Sequence, residues 1–202
     1  GKLYLQKIQD SALVMLDSII VDGDSKFESH IKLDSPEMLY LFLDRGETNS
    51  IDNSLPFFAE PGNINIETSL KEFFAAAKIT GSKNHDLWMK FDSINKRFNE
   101  ENLLLIEKRL KNEMKPNITT TDSIEQAYQK LLKRKYRYTA HFAVTNGNKE
   151  IAPYLALSEI ADINTTYLDT IQKSLTPEVA KSKYGKMLNE HIKERKTLEV
   201  QK

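Results

Sequence analysis

Four histidines, His30, His85, His141 and His191, are the side chains best suited to metal ligation or proton transfer near neutral pH. None stands at HxxxH or HExxH spacing from another, so the sequence offers no local histidine metal site. His85 precedes Asp86, but neighbouring residues on a helix point apart, and the pair reads as a solvated helix N-terminus. The run Asp22-Gly23-Asp24-Ser25-Lys26 alternates like the start of a calcium loop. Lys26, however, fills a ligand position, and Leu33 stands where a bidentate glutamate belongs, so the run is predicted to be a hairpin turn. Cysteine is absent, which excludes a CxxC redox site, a thiolate nucleophile, thiolate-bound zinc and disulfides for these 202 residues. No serine lies in a GxSxG elbow, and neither GxxxxGK[ST] nor GxGxxG occurs. The expectation is a chain that is not an enzyme, with no catalytic, cofactor-binding or metal-binding residues.

The one basic stretch interleaved with aromatics is KLLKRKYRY from Lys130. Phosphate gripping and base stacking need this composition. On a helix, Lys130, Lys133, Arg134 and Arg137 spread over much of the circumference while Leu131, Leu132 and Tyr138 supply packing, so a solvated or docking face is expected and no nucleic-acid partner.

The elements that would position such residues change character near Gly81. Before it, short β-rich runs are punctuated by turns. Leu3 and Leu5 alternate, Asp10-Ser11 breaks the run, and ALVMLDSIIV resumes it. Phe27, Ser29 and Ile31 are predicted to re-enter a strand, and Met38–Leu43 reads as a strand buried on both faces. Glu60-Pro61-Gly62-Asn63 carries type II turn chemistry and leads to Ile64 and Ile66. A sheet of about six antiparallel strands is expected.

After Gly81, Leu87, Phe91, Ile94 and Phe98 follow helical spacing. Leu104, Leu105 and Leu110 extend the apolar content to Met114, where Pro116 ends the segment. Asp122 with Glu125 looks like a capping box opening a second helix, which Asn146-Gly147 stops. Pro153, the Tyr167-Leu168-Ile171 face and Thr176-Pro177 mark three more helices, about five in all. Trp88, Phe91, Tyr128, Leu131 and Leu132 are assigned to the helical core. The predicted class is α+β, with an N-terminal antiparallel β-sheet or sandwich domain over residues 1–80 and a C-terminal helical domain over 81–202.

Composition supports a folded chain: 40% of residues are hydrophobic, and 29 basic residues balance 29 acidic ones. Through Thr80 there are 7 basic and 13 acidic residues, a net −6, and after it 22 and 16, a net +6. Opposite signs predict attraction between the two segments. No apolar run reaches the ~18 residues of a membrane span. Any binding surface is expected on the long polar connection Arg45–Ser54, or between the β and helical parts, rather than on Asp22–Ser25.

Three motifs, LDSIIVDGDSKFE from Leu16, FFAEPGNINIE from Phe57 and AKITGSKNHDLWMKF from Ala77, together resemble the uncharacterised N-terminal domain of bacterial periplasmic TlpA/ResA-like, AhpC/TSA-type thiol:disulfide interchange lipoproteins. The resemblance continues through Pro153-Tyr154-Leu155 and SLTPEVAKSKYGKMLNEHI from Ser174. It implies an exported, lipoprotein-type periplasmic setting and an unidentified envelope protein or small ligand as partner. It also implies a lipid anchor outside these residues as the only membrane link, and a longer precursor. In such relatives a thioredoxin domain follows. The first expectation is therefore a non-catalytic envelope accessory or binding module. The alternative is the accessory region of an oxidoreductase whose redox domain lies elsewhere.

Overall fold

The computed structural model describes residues 1–23, 26–46 and 50–200. The chain divides into two compact units, Gly1–Asp86 and Leu87–Lys202. Its class is α+β, with an antiparallel sheet first and helices after it.

In the first unit, β1 (Lys2–Gln9), β2 (Ala12–Ile20), β3 (Glu37–Asp44) and β4 (Ser54–Ala59) form an antiparallel sheet in the order β2-β1-β3-β4. Asp10 and Ser11 both have positive φ, 50° and 66°, the two-residue turn whose twist matches a β-hairpin. β3 is the central apolar strand, and its alternate residues Leu39, Leu41 and Leu43 join Leu3, Leu5, Leu55, Phe57 and Phe73 in one core. Pro56 sits in β4, an edge strand, where its missing N–H disrupts no interior ladder.

The expected single six-stranded sheet is replaced by two sheets. Among the described residues β5 (Asn65–Glu67) pairs only with β6 (Lys78–Thr80), and Ile64, Ile66 and Ile79 lie against the core of the larger sheet. The predicted strand at Phe27–Ile31 forms no ladder. Ile31 and Leu33 still pack on the core, so the alternating pattern reported burial rather than pairing. Of the turn expected at Asp22–Ser25, residues 24 and 25 lie outside the described residues.

The helices are α1 (Lys83–Met114), α2 (Ile118–Thr145), α3 (Ile151–Glu159), α4 (Thr165–Ser174), α5 (Pro177–Lys181) and α6 (Lys183–Val200). The second helix begins before Asp122. Asn117 is its cap, accepting the Thr120 N–H at 3.1 Å, and Pro116 just ahead of it cannot continue α1. The last predicted helix is two, divided at Ser182 after Thr176 and Pro177 open the first of them as expected. Within the second unit, Ala143, Ala152, Ala156, Ile160, Leu168, Ile171, Val179 and Leu188 form the main core. An aromatic seam joins α1 to α2, with Phe91 stacked on Tyr138 at 5.4 Å and edge-on to Phe142 at 5.5 Å. Leu131 and Phe91 are buried as expected, whereas Trp88, Tyr128 and Leu132 are half-buried. Among the described residues no helix is long and apolar enough to cross a membrane.

Candidate functional site

The residues of the FFAEPGNINIE and AKITGSKNHD motifs meet at the start of α1. A helix leaves its first backbone N–H groups without partners inside the helix, and here each has one. The Glu60 carboxylate accepts from the N–H of Lys83 at 2.8 Å and of Asn84 at 3.1 Å, and from Nδ2 of Asn84 at 2.6 Å. Ser82 accepts from the N–H of His85 through its hydroxyl at 3.0 Å, and from Asp86 through its carbonyl at 3.1 Å. A carboxylate at this end also complements the helix dipole.

Gly81 makes the approach possible. Its φ is +97°, and a Cβ there would stand 2.1 Å from the Asn63 carbonyl oxygen. Gly62, at φ +127°, turns the chain between Glu60 and Asn63.

His85 corrects the expectation of a solvated helix end. It is buried, and its Nδ1 accepts the Phe58 N–H of β4 at 3.4 Å, which requires a neutral ring. Burial pushes its pKa below the ordinary value, and the neighbouring Asp86 charge only partly opposes this. The other histidines do not join it. His30 and His141 are exposed, and the Nε2 of His191 contacts the carbonyl of Ala161 at 2.8 Å. Among the described residues no group of three or more His, Asp or Glu is placed to hold a metal ion.

The Arg45–Ser54 connection, the expected binding loop, is tied down at one end. Its residues 47–49 lie outside the described residues. Asp52 accepts the N–H groups of Phe73 and Phe74 at 3.0 Å each and of Ala75 at 3.4 Å, and meets Arg45 at 3.2 Å. Its carboxyl is pushed up by burial, but the three N–H donors and the Arg45 charge outweigh this and hold it below the usual carboxylate range. This knot presents Ile51, which is 87% exposed, next to the turn that carries Leu70 and Phe74, both also exposed.

In KLLKRKYRY the positive charges divide between structure and solvent. Arg134 forms a two-pronged pair with Glu101 at 3.0 and 3.1 Å and lies over the Phe98 ring. Lys135 pairs with Glu159 at 3.0 Å, and Glu159 also accepts from Asn95. Lys130, Lys133 and Arg137 are exposed.

Further along α1, Leu104 and Leu110, which extend the apolar content of the sequence pattern, are exposed, with Leu103, Ile106 and Met114 near them. Leu105 of this stretch turns inward, toward Phe98 and Leu131. A groove of about 580 Å³ lies there between Lys108, Lys111 and Lys115 on one side and Thr119, Thr120 and Ser123 on the other.

Comparison with known families picks out the first unit. Residues 1–88 match a domain of unknown function, DUF4369. The match contains all of β1–β6, the Asp52 knot and the Glu60–Ser82 cap, and it ends within the first two turns of α1. No curated protein and no solved structure matches the chain. Sequence reading missed the roles of Glu60 and Asp52, which depend on partners 23 and 21 residues away. The legible signal was Ser82 directly ahead of an apolar helical pattern, an N-cap signature.

Proposed function

We propose that this chain is a non-catalytic accessory and binding module of the bacterial cell envelope, and that it meets its partner on the face formed by Ile51, Leu70 and Phe74. The observation that carries this reading is how the motif residues are used. Glu60, Ser82 and His85 hold the backbone of their own unit, and Asp52, outside the motifs, ties the exposed Ile51 to the turn that carries Leu70 and Phe74. Loops fixed on a scaffold in this way are common recognition sites, because little ordering entropy remains to be lost on binding.

The motifs also support the finer placement, in the N-terminal region of TlpA/ResA-like periplasmic lipoproteins. A chain without cysteine would there serve a redox domain and carry out no exchange itself. The partner is an envelope protein or a small ligand, with no nucleic acid and with a membrane link only through a lipid anchor outside these residues. Immobilised chain should retain a discrete partner from a detergent extract of the envelope, and the Ile51→Ser/Phe74→Ser variant should lose it while keeping its circular-dichroism spectrum. Equal retention by both would refute the assignment of this face.

A further inference from the structure

β2 is one edge of the four-stranded sheet, and part of its outer side is unpaired backbone. The two-residue turn at Asp10-Ser11 makes Gln9–Ala12 a hydrogen-bonded pair, and at the far end of the ladder Gly1 and Val21 exchange both bonds, at 3.0 and 2.9 Å. Bonded and non-bonded pairs alternate in an antiparallel ladder. Lys7–Val14 is therefore bonded too, and the N–H and C=O groups of Leu13 and Met15 point away from β1. No other described residue bonds to them. Beyond the register shift opposite Leu5/Gln6 the edge closes, because the Asp17 carboxylate takes the N–H of Ser18 at 2.8 Å. The open run is thus Ala12–Leu16. It is apolar on both faces: Leu13 and Met15, 59% and 58% exposed, stand with Ile8 on the face away from Leu3 and Leu5, and Val14 is exposed on the other. Sheet edges are ordinarily guarded by proline or lysine. The opposite edge strand, β4, carries Pro56, whereas β2 carries neither residue.

Outward N–H and C=O groups in register can be satisfied together only by another extended chain, and the charges indicate which kind. Asp10 and Asp17 bracket the open run, and neither meets a basic side chain among the described residues. The bonds from the Ser29 hydroxyl and the Ser18 N–H hold the Asp17 carboxyl below the usual carboxylate range, so it is charged near neutral pH. A second copy paired antiparallel about Val14 would set Asp17 of each β2 opposite Ser11 of the other, beside Asp10, and crowd like charges at both ends. The surrounding segment repels a copy as well, with a net −6 through Thr80. A strand with a basic residue at each end meets attraction at both.

We propose that the Ala12–Leu16 edge of β2 is a strand-addition site for an extended peptide segment of a partner protein, with apolar residues facing Leu13 and Met15 and Lys or Arg at either end. This site lies at the opposite edge of the sheet from β4 and the Ile51 that precedes it, and it is independent of the envelope reading.

Fluorescence anisotropy at low ionic strength, with the full chain titrated into the labelled peptide Lys-Thr-Val-Thr-Val-Thr-Lys, tests it. Saturable binding with a Kd of about 100 µM or tighter is expected. The same peptide N-methylated at both valines should bind at least about tenfold more weakly, since it can no longer donate to the Leu13 and Met15 carbonyls. Glutamate in place of both lysines should weaken binding roughly tenfold. Met15→Pro removes an outward donor at an edge position and should weaken it at least about tenfold while keeping the circular-dichroism spectrum. If that variant does not fold, hydrogen exchange on the wild-type chain replaces it: bound peptide should slow the Leu13 and Met15 amides and leave Val14 unchanged. No binding up to about a millimolar, equal binding of the N-methylated peptide, or unchanged exchange at Leu13 and Met15 would overturn the proposal. So would a chain that dimerises through this edge, shown by sedimentation velocity and lost in Leu13→Lys.

Discussion

Replacing Glu60 by alanine removes one side chain and three hydrogen bonds at once. The N–H of Lys83 is exposed and can turn to water, which limits its loss to a few tenths of a kcal/mol. Asn84 is buried, and both its backbone N–H and its Nδ2 lose a carboxylate acceptor, at about 1–2 kcal/mol each for a buried donor deprived of its partner. The expected destabilisation is therefore about 2–4 kcal/mol. Glu60→Gln keeps one acceptor oxygen and loses the charge that complements the helix end, so its cost should be nearer 1 kcal/mol. Urea unfolding followed by circular dichroism gives the total, and amide hydrogen exchange gives its location. In Glu60→Ala the Asn84 amide should exchange roughly thirtyfold or more faster, as about 2 kcal/mol of local opening requires. Wild-type stability together with unchanged exchange at Asn84 would refute the reading of Glu60 as the cap of α1.

Gly81→Ala should cost about 2–4 kcal/mol in the same urea assay, since a Cβ 2.1 Å from the Asn63 carbonyl forces backbone to move at a positive φ. Leu131→Ala should cost about 2–5 kcal/mol as a core truncation beside Phe98 and Leu105, and an unchanged melting temperature would show the wrong helix face. His85 is held neutral in the fold and its pKa lies below the ordinary 6.5, so the unfolded chain binds the extra proton. The stability this contributes is complete above pH 6.5 and is lost as pH falls from there toward the folded value, at up to about 1.4 kcal/mol per pH unit. His85→Gln should flatten the pH 5–7 slope; an unchanged slope would place the titrating group elsewhere.

What the sequence made legible was local. Helix ends written in short-range chemistry, such as Thr176-Pro177 and Asn146, fall where residue type puts them, and so does the Asp10-Ser11 turn. Features decided by distant partners were not legible. The Phe27–Ile31 run has the alternation of a strand but pairs with nothing in a ladder, since periodicity reports a buried face and not a neighbour. Leu104 and Leu110 satisfy a helical stripe, yet that stripe points away from α2, and only the packing of α1 on α2 could reveal it. The Arg45–Ser54 connection was legible as a long polar segment, but the anchoring of Asp52 was not, since its partners Phe73–Ala75 lie far along the chain.

The central claim, that the first unit is a binding module acting through the Ile51 face, is tested most directly by site-specific photo-crosslinking in the cells that produce the protein. A photoreactive phenylalanine analogue at position 51 or 74 should yield a discrete adduct with an envelope component. The same probe at Tyr167, which is also exposed but lies on α4, should yield none. Adducts absent from positions 51 and 74, or equal at all three, would contradict it.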